Sequence, residues 1–120
     1  MPLTALRVIE LGAIPAAAYC GRLFADFGAD VLKIESPEGD PARGQAPLVS
    51  LQDGSKEGAY FGYLNVRKRS AVLSAQCEES RKQVIELVAQ ADVLIDSLTA
   101  AERLALGLTH EQLTKINSSL

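Results

Sequence analysis

Few residues of this sequence have the types and the spacing that chemistry requires. Gly12 follows an apolar segment, and Glu35 ends the next one. A glycine in a first strand-to-helix turn and an acid after the second strand are typical of dinucleotide binding, where the acid holds a ribose hydroxyl. The segment GAIPAA has one glycine where three are needed, and Pro15 removes a backbone N–H that a phosphate could use. The sequence therefore argues against an NAD site and favours Glu35 as an ordinary acid at a strand end.

A run of three cations offers a second kind of site. Arg67, Lys68 and Arg69 are consecutive in the segment NVRKRS. An arginine presents a planar fork to a phosphate and a lysine presents a point charge, so the run could bind an anion. A solvated turn has the same composition, and the sequence leaves both interpretations open.

Nucleophilic and metal-assisted catalysis find little support. His110 is the only histidine and falls in the first turn of a predicted short helix, where the dipole disfavours its charged form, which predicts a surface residue. No serine stands in a G-x-S-x-G motif. Cys20 and Cys77 lack CxxC or Cys/His metal spacing, and their contexts predict two reduced, structural thiols. No catalytic residue and no metal ligand is assigned.

The elements that would position these residues begin with a β-α-β unit. LRVIEL at 6–11 predicts a buried strand, PAAAYCGRLFADFG at 15–28 a helix, and DVLKIE at 30–35 a second, parallel strand. Helical spacing predicts which side chains of that helix face inward. They are Ala16, Cys20, Leu23, Phe24 and Phe27.

The rest of the chain continues the alternation. A Pro- and Gly-rich loop at 36–58 is followed by a short helix at 59–65 and a strand at 70–73. A helix at 78–91 then leads to a strand at 92–97. The inward residues of this helix are predicted to be Val84, Leu87, Val88 and Ala91. Two short helices follow, and capping boxes open them at Thr99 with Glu102 and at Thr109 with Gln112.

Strands that alternate with helices predict an α/β fold with a mostly parallel sheet of about four strands and flanking helices. The ligand crevice of such a sheet lies beyond the carboxyl ends of its strands. We therefore expect the segments 12–15 and 73–76, the segment 97–101 and the loop after Glu35 to meet at one edge.

Composition narrows the class of protein. The chain has 120 residues, 48% of them hydrophobic, a formal net charge of -3 and a pI of about 5.1. These values predict one soluble domain. The acidic balance argues against nucleic-acid binding, and no stretch approaches the roughly 18 apolar residues of a membrane span. A cytoplasmic protein is expected.

Four motifs, in order, resemble a known family. LRVIELG, RLFADFGADVLKIESPEGDPARG, AYFGYLNVRKRSAVL and ADVLIDS with ERLALGLTHEQLTKIN cover nearly the whole chain. They closely resemble the N-terminal part of the family III CoA-transferases, which include formyl-CoA and carnitine CoA-transferases and α-methylacyl-CoA racemases. The resemblance implies a Rossmann-like large domain, of which residues 1–120 would be the incomplete N-terminal part, and a dimer of interlocked chains.

The resemblance also implies a function. Coenzyme A or an acyl-CoA would be the substrate, and the loop from Ser36 to Gly44 would line the mouth of its site. In the transferases an aspartate attacks the acyl thioester and is carried through a mixed anhydride to an aspartyl-CoA thioester. That aspartate and the acid/base residues of the racemases lie beyond the matched region. The implied partners are the remainder of the transferase chain or a second subunit, with a possible homodimer.

Matching positions imply the residues that contact CoA. They are Pro15, Ala16, Leu73, Ser74, Gln76, Ser97 and Leu98. Three segments depart from the family pattern. The first turn lacks the usual Gly-Pro pair, Gln76 replaces a lysine, and the segment from Ser97 to Ala101 replaces Asn-Phe-Arg-Pro-Gly. These departures keep an alternative open, namely a non-catalytic α/β interaction or assembly domain derived from the family.

Overall fold

The computed structural model describes all 120 residues and contains a four-stranded parallel sheet and a separate two-stranded hairpin. In chain order the elements are β1 (Arg7–Leu11), α1 (Pro15–Asp26), β2 (Asp30–Glu35), a 3₁₀ turn (Pro41–Gly44), β3 (Leu48–Ser50), β4 (Lys56–Gly58), α2 (Ala59–Leu64), β5 (Arg69–Val72), α3 (Glu78–Ala89), β6 (Val93–Asp96), α4 (Ala100–Leu106) and α5 (His110–Ile116). No helix has the length and apolar character of a membrane span.

The four strands of the main sheet lie in the order β5, β2, β1, β6, and every neighbouring pair is parallel. The predicted α/β fold with about four parallel strands is thus confirmed. The chain first builds outward from β1 through β2 to β5, and then crosses to place β6 on the other side of β1. The strand order therefore reverses between β1 and β6, which is where open α/β sheets form a ligand crevice.

Apolar side chains cover both faces of the sheet. A small core on the α1 face is formed by Val8, Ala25, Ala29 and Val31. A larger core on the opposite face is formed by Ile9, Leu11, Ile34, Val84, Val88, Ala91, Leu106 and Leu108. The predicted inward face of α3 is confirmed, because Val84, Val88 and Ala91 are buried and Leu87 packs against the same core.

The predicted inward face of α1 is wrong. The buried residues of this helix are Ala18, Gly21 and Ala25. Of the residues expected inside, Phe24 is half-buried, and the exposed ones are Ala16, Cys20, Leu23 and Phe27. The reason is that the carboxylate of Glu10 rises from the sheet directly under Gly21, where a Cβ atom would collide with it. Only small residues let the helix lie this close, so the large apolar residues point outward.

The segment 36–58, predicted as a loop, contains the 3₁₀ turn and the antiparallel hairpin of β3 and β4. The two strands of this hairpin have three residues each, and most of their side chains are exposed. Because β3 has no buried residue and the buried residue of β4 is Gly58, the apolar alternation that reveals a strand in a sequence is missing.

The helix termini follow the sequence closely. Pro15 occupies the first turn of α1, and Gly28, with φ +99°, follows its end. Both predicted capping boxes are present, and Gly107 ends α4 in the left-handed conformation with φ 73°. These signals act within one helical turn, which is why they can be recognised without knowing the fold.

Candidate functional site

A cavity of about 400 Å³ opens at the carboxyl ends of the strands. Its walls come from the β1–α1 turn, the end of β2 with the loop after it, the segment after β5, and α4 with the residue before its cap. The lining residues are Leu11, Gly12, Ala13, Lys33, Ile34, Glu35, Ser36, Gly39, Asp40, Leu73, Ala75, Gln76, Leu98, Ala101, Glu102, Ala105 and Leu106. The predicted meeting of four segments at one edge of the sheet is confirmed. We call this cavity the crevice.

The residues predicted to contact CoA fall into three groups. Leu73, Gln76 and Leu98 line the crevice. Ser74 and Ser97 lie beside it and are used locally: the Gln76 N–H donates to Ser74 Oγ at 3.2 Å, and Ser97 Oγ donates to the Leu11 carbonyl at 3.0 Å.

Pro15 and Ala16 form the third group. They begin α1, are exposed, and are not among the lining residues. A role of any of these residues in CoA binding stays a prediction.

Four charged side chains form a buried network under the crevice. Lys33 and Lys68 each have a side chain that is 1% exposed. Lys33 Nζ lies 3.0 Å from Glu10 Oε1 and 3.0 Å from Asp40 Oδ2, and it donates to the Gly12 carbonyl at 3.3 Å. Lys68 Nζ lies 2.6 Å from Glu10 Oε2 and also donates to the Ala18 carbonyl and to Asn65. Two ammonium groups and two carboxylates therefore balance one another.

Sequence reasoning missed this network. Glu10 and Lys33 interrupt two apolar strands, and the register of β1 and β2 pairs them directly. Opposite charges at the same depth of two adjacent buried strands are a usable signal, because an unpaired charge there would be costly. No sequence signal identifies Lys68, which lies just before β5 and contacts Glu10 of β1.

The two lysines respond differently to burial. Burial alone lowers the pKa of Lys33, but the charges and hydrogen bonds of Glu10 and Asp40 outweigh it, so that the pKa lies above its ordinary value. For Lys68 burial dominates over the attraction of Glu10, and its pKa is lowered. Lys33, the one lysine that lines the crevice, is thus a firmly charged ammonium group rather than a base.

A second cluster holds the outer wall of the crevice. Arg43 donates to both oxygens of Glu35, at 2.9 and 2.8 Å, and to Glu57 at 3.1 Å. Its guanidinium lies 4.0 Å from the ring centre of Phe61. The hydrogen bonds from Arg43, opposed by burial and aided by the Asp40 N–H, lower the pKa of Glu35 to about 2. Glu35 is therefore committed to Arg43 and to the loop, which agrees with the argument against a ribose contact.

The three consecutive cations do not act together. Lys68 is buried in the network, whereas Arg67 and Arg69 are exposed. Arg69 pairs with Asp30 at 2.6 Å, at the amino ends of β5 and β2 and so away from the crevice. Neither the anion site nor the solvated turn describes this segment, because its central residue turns inward.

The remaining candidates lie on the surface. His110 is exposed, as predicted. The inward position predicted for Cys20 is wrong, because this residue is exposed, and Cys77 is exposed as well. Cys20 lies on the outward side of α1, and Cys77 precedes the first residue of α3. There, hydrogen bonds from the backbone and side chain of Ser80 lower the pKa of the Cys77 thiol.

Comparison with known proteins identifies the family. The model of CoA-transferase family III matches residues 3–120. The chain belongs to CoA-transferase family III. This confirms the resemblance read from its motifs.

Curated relatives in family III are CoA-transferases of several substrates. The chain is 38% identical over 115 residues to succinyl-CoA:mesaconate CoA-transferase of Haloarcula marismortui, covering 96% of this chain and 29% of that protein. It is 38% identical over 108 residues to cinnamoyl-CoA:phenyllactate CoA-transferase of Clostridium sporogenes, covering 90% of this chain and 26% of that protein. The chain thus spans less than a third of the length of these family III relatives.

A solved structure shows the same fold. A CAIB/BAIF family protein from Brucella suis superposes with a TM-score of 0.90 at 41% sequence identity, over 98% of this chain and 31% of that protein. Relatives named as CoA-transferases do not favour the alternative of a non-catalytic interaction domain.

Proposed function

We propose that this chain is the N-terminal part of a CoA-transferase and supplies one part of the crevice that receives CoA or an acyl-CoA. The observation that carries this proposal is the crevice itself. It lies at the switch point between β1 and β6, in a chain that the family model matches over residues 3–120. Residues 1–120 would then belong to the large, Rossmann-like domain of the complete protein.

The chemistry of the crevice suits the uncharged portions of CoA. Its wall is made largely of apolar and small residues, including Leu11, Leu73 and Leu98, which an adenine ring or a pantetheine chain can contact. The one lining cation, Lys33, is already neutralised by Glu10 and Asp40. We therefore propose that the phosphates of CoA are bound mainly by groups other than the residues of this chain that line the crevice.

The chemical step is assigned to no residue of this chain. Glu35 and Asp40, the carboxylates on the β2 side of the crevice, are both held in ion pairs. In this proposal the remainder of the protein brings the nucleophilic aspartate to the thioester.

We also propose a homodimer in the cytoplasm. An exposed apolar surface on α1 and α2 supports an interface. It includes Tyr19, Leu23, Phe27, Tyr60 and Tyr63. Sedimentation velocity of the protein at its native length tests the homodimer, since a monomer at micromolar concentration would contradict it.

Blocking the crevice tests the proposed function. Ala101 lines the crevice, whereas its neighbour Ala100 does not, and both are exposed on the first turn of α4. In the protein at its native length, Ala101→Trp should weaken CoA binding at least tenfold, or by about 1.4 kcal/mol, because the ring fills the cavity. The measurement is calorimetric titration with CoA.

Ala100→Trp is the matched control and should bind CoA like the unchanged protein. Absence of heat at millimolar CoA in the unchanged protein would remove the enzyme proposal and favour the non-catalytic alternative. Equal affinities of the two tryptophan variants would place CoA outside this crevice.

A further inference from the structure

Lys33 connects two opposite walls of the crevice. Its ammonium group lies 3.0 Å from Asp40 Oδ2 on the loop after β2 and 3.3 Å from the carbonyl of Gly12 in the β1–α1 turn. The third donor direction goes to Glu10 at 3.0 Å, so the three hydrogens of the ammonium group have three acceptors. Lys33, Gly12 and Asp40 all line the crevice.

The loop that forms the mouth of the crevice is anchored at both ends. At one end Glu35 completes β2, and at the other end Asp40 is 6% exposed. Asp40 Oδ1 accepts the Ala42 N–H at 2.8 Å, and the Asp40 N–H donates to Glu35 Oε2 at 2.9 Å. Between these anchors the residues Ser36, Pro37 and Glu38 are exposed. We call residues 36–39 the arch.

Two contacts hold Asp40, and with it the end of the arch, to the sheet. Asp40 reaches the sheet through Lys33, and without that contact a buried carboxylate would lose its counter-charge. The other contact is the buried hydrogen bond from the Asp40 N–H to Glu35, whose carboxylate is 3% exposed and pairs with Arg43. That hydrogen bond fixes the backbone of Asp40, whereas Lys33 joins the loop to the Gly12 turn on the opposite wall.

We propose that Lys33 and Asp40 are positioning residues whose ion pair holds the arch and the Gly12 turn at a fixed separation, so that the crevice is formed before CoA enters. A preformed site avoids the free-energy cost of ordering a loop during binding. This inference rests on the proposed function for its ligand, but the order of the arch is a property of the chain alone.

The network allows a test in which the buried charge stays balanced. The double variant Lys33→Met/Asp40→Asn removes one cation and one anion and leaves Glu10 paired with Lys68. Methionine replaces the lysine stem, and asparagine keeps an oxygen acceptor for the Ala42 N–H. The matched control, Asp30→Asn/Arg69→Met, also removes one cation and one anion, but this pair lies at the amino ends of β2 and β5 and neither residue lines the crevice.

In the protein at its native length, Lys33→Met/Asp40→Asn should raise the Kd for CoA about tenfold with an unchanged number of binding sites. Amide hydrogen exchange should become faster in residues 36–44 while β1 and β2 stay protected. The control variant should leave the Kd and the exchange of the arch unchanged. If Lys33 and Asp40 only stabilised the fold, Lys33→Met/Asp40→Asn would have fewer CoA binding sites with an unchanged Kd.

Failure of the proposed function and failure of the positioning role would give different results. If the unchanged protein does not bind CoA, the proposed function fails, and hydrogen exchange of the arch still decides the positioning role. The inference itself is overturned if both variants change the Kd or the arch exchange equally, or if Lys33→Met/Asp40→Asn behaves like the unchanged protein. The double variant Lys33→Leu/Asp40→Asn keeps the same balance of buried charge, should show the same pattern, and serves if the methionine variant does not fold.

Discussion

The charged residues on the β2 side of the crevice are held in ion pairs, and these pairs fix its wall. Arg43 holds Glu35 through two hydrogen bonds, and Glu35 in turn holds the backbone of Asp40. Lys33 joins Asp40 to the sheet. The carboxylates that line the β2 side of the crevice therefore act as structural anchors rather than as acids or bases.

The Glu35 anchor should make stability depend on acid pH. Its pKa is lowered to about 2 from an ordinary value of 4.5. A lowered carboxylate pKa stabilises the folded state above pH 4.5, and this stabilisation is lost as the pH falls toward 2. Glu35→Gln should lower the unfolding free energy at pH 7 by roughly 1 to 3 kcal/mol, discounted for the exposure of Arg43.

Urea unfolding of the protein at its native length at pH 7, 5 and 3 measures this effect. The loss of stability on going from pH 5 to pH 3 should be smaller in Glu35→Gln than in the unchanged protein. Glu111→Gln, which breaks an exposed pair with Lys115, is the control and should change little at any pH. Identical acid profiles of Glu35→Gln and the unchanged protein would refute the anchor.

At the scale of secondary structure, short helices depend on their caps. The Thr99 N–H donates to Glu102 Oε2 at 2.7 Å, and the Glu102 N–H donates to Thr99 Oγ1 at 3.2 Å. Thr109 and Gln112 make the equivalent pair at the start of α5. These two helices have seven residues each, so the cap contributes a large share of their local stability.

Removing each cap should show which of the two helices contributes to CoA binding as well as to stability. Thr99→Ala and Thr109→Ala should each cost about 1 kcal/mol of unfolding free energy, measured by urea titration. Of these two helices, only α4 lines the crevice. Thr99→Ala should therefore also weaken CoA binding about threefold, because the first turn of α4 loosens, whereas Thr109→Ala should not. Equal CoA affinities of the two variants would argue that α4 does not contribute to the site.

The sequence predicted the four main strands, the helices and the capping boxes because these features depend on neighbouring residues. β2 begins and ends where its apolar run predicts, at Asp30 and Glu35. The inward side of α1 depends instead on Glu10, a residue of another element, and for that reason the large side chains Leu23 and Phe27 were misleading.

The candidate site was likewise predictable in part. The four segments that meet at the crevice could be predicted, because parallel strands all end at one edge. The buried network could not be read in full, since Lys68 meets Glu10 across 58 positions of sequence. The hairpin escaped notice because β3 has no buried residue.

At the scale of the whole molecule, both outer strands of the sheet have one free edge. β5 pairs only with β2, and β6 pairs only with β1. Val72 of β5 is 61% exposed, and all residues of β6 are only partly buried. Parallel sheets are normally covered on both faces, and an edge strand with unpaired backbone groups can pair with another chain, so these strands are incompletely protected.

The 120 residues expressed on their own should therefore be marginally stable. We expect a broad thermal transition by circular dichroism and association that increases with protein concentration in gel filtration. The chain at its native length should melt more cooperatively. A sharp, two-state melt of a monomeric 120-residue chain would contradict this expectation.

The balance of the network under the crevice has an evolutionary consequence. Glu10, Lys33, Asp40 and Lys68 sum to zero charge, and losing any one of them would leave an uncompensated charge in the interior. Such a position can change only together with a partner of opposite sign. Across family III, these four positions should covary as two coupled pairs, whereas Lys82, which is exposed on α3, should vary independently of them.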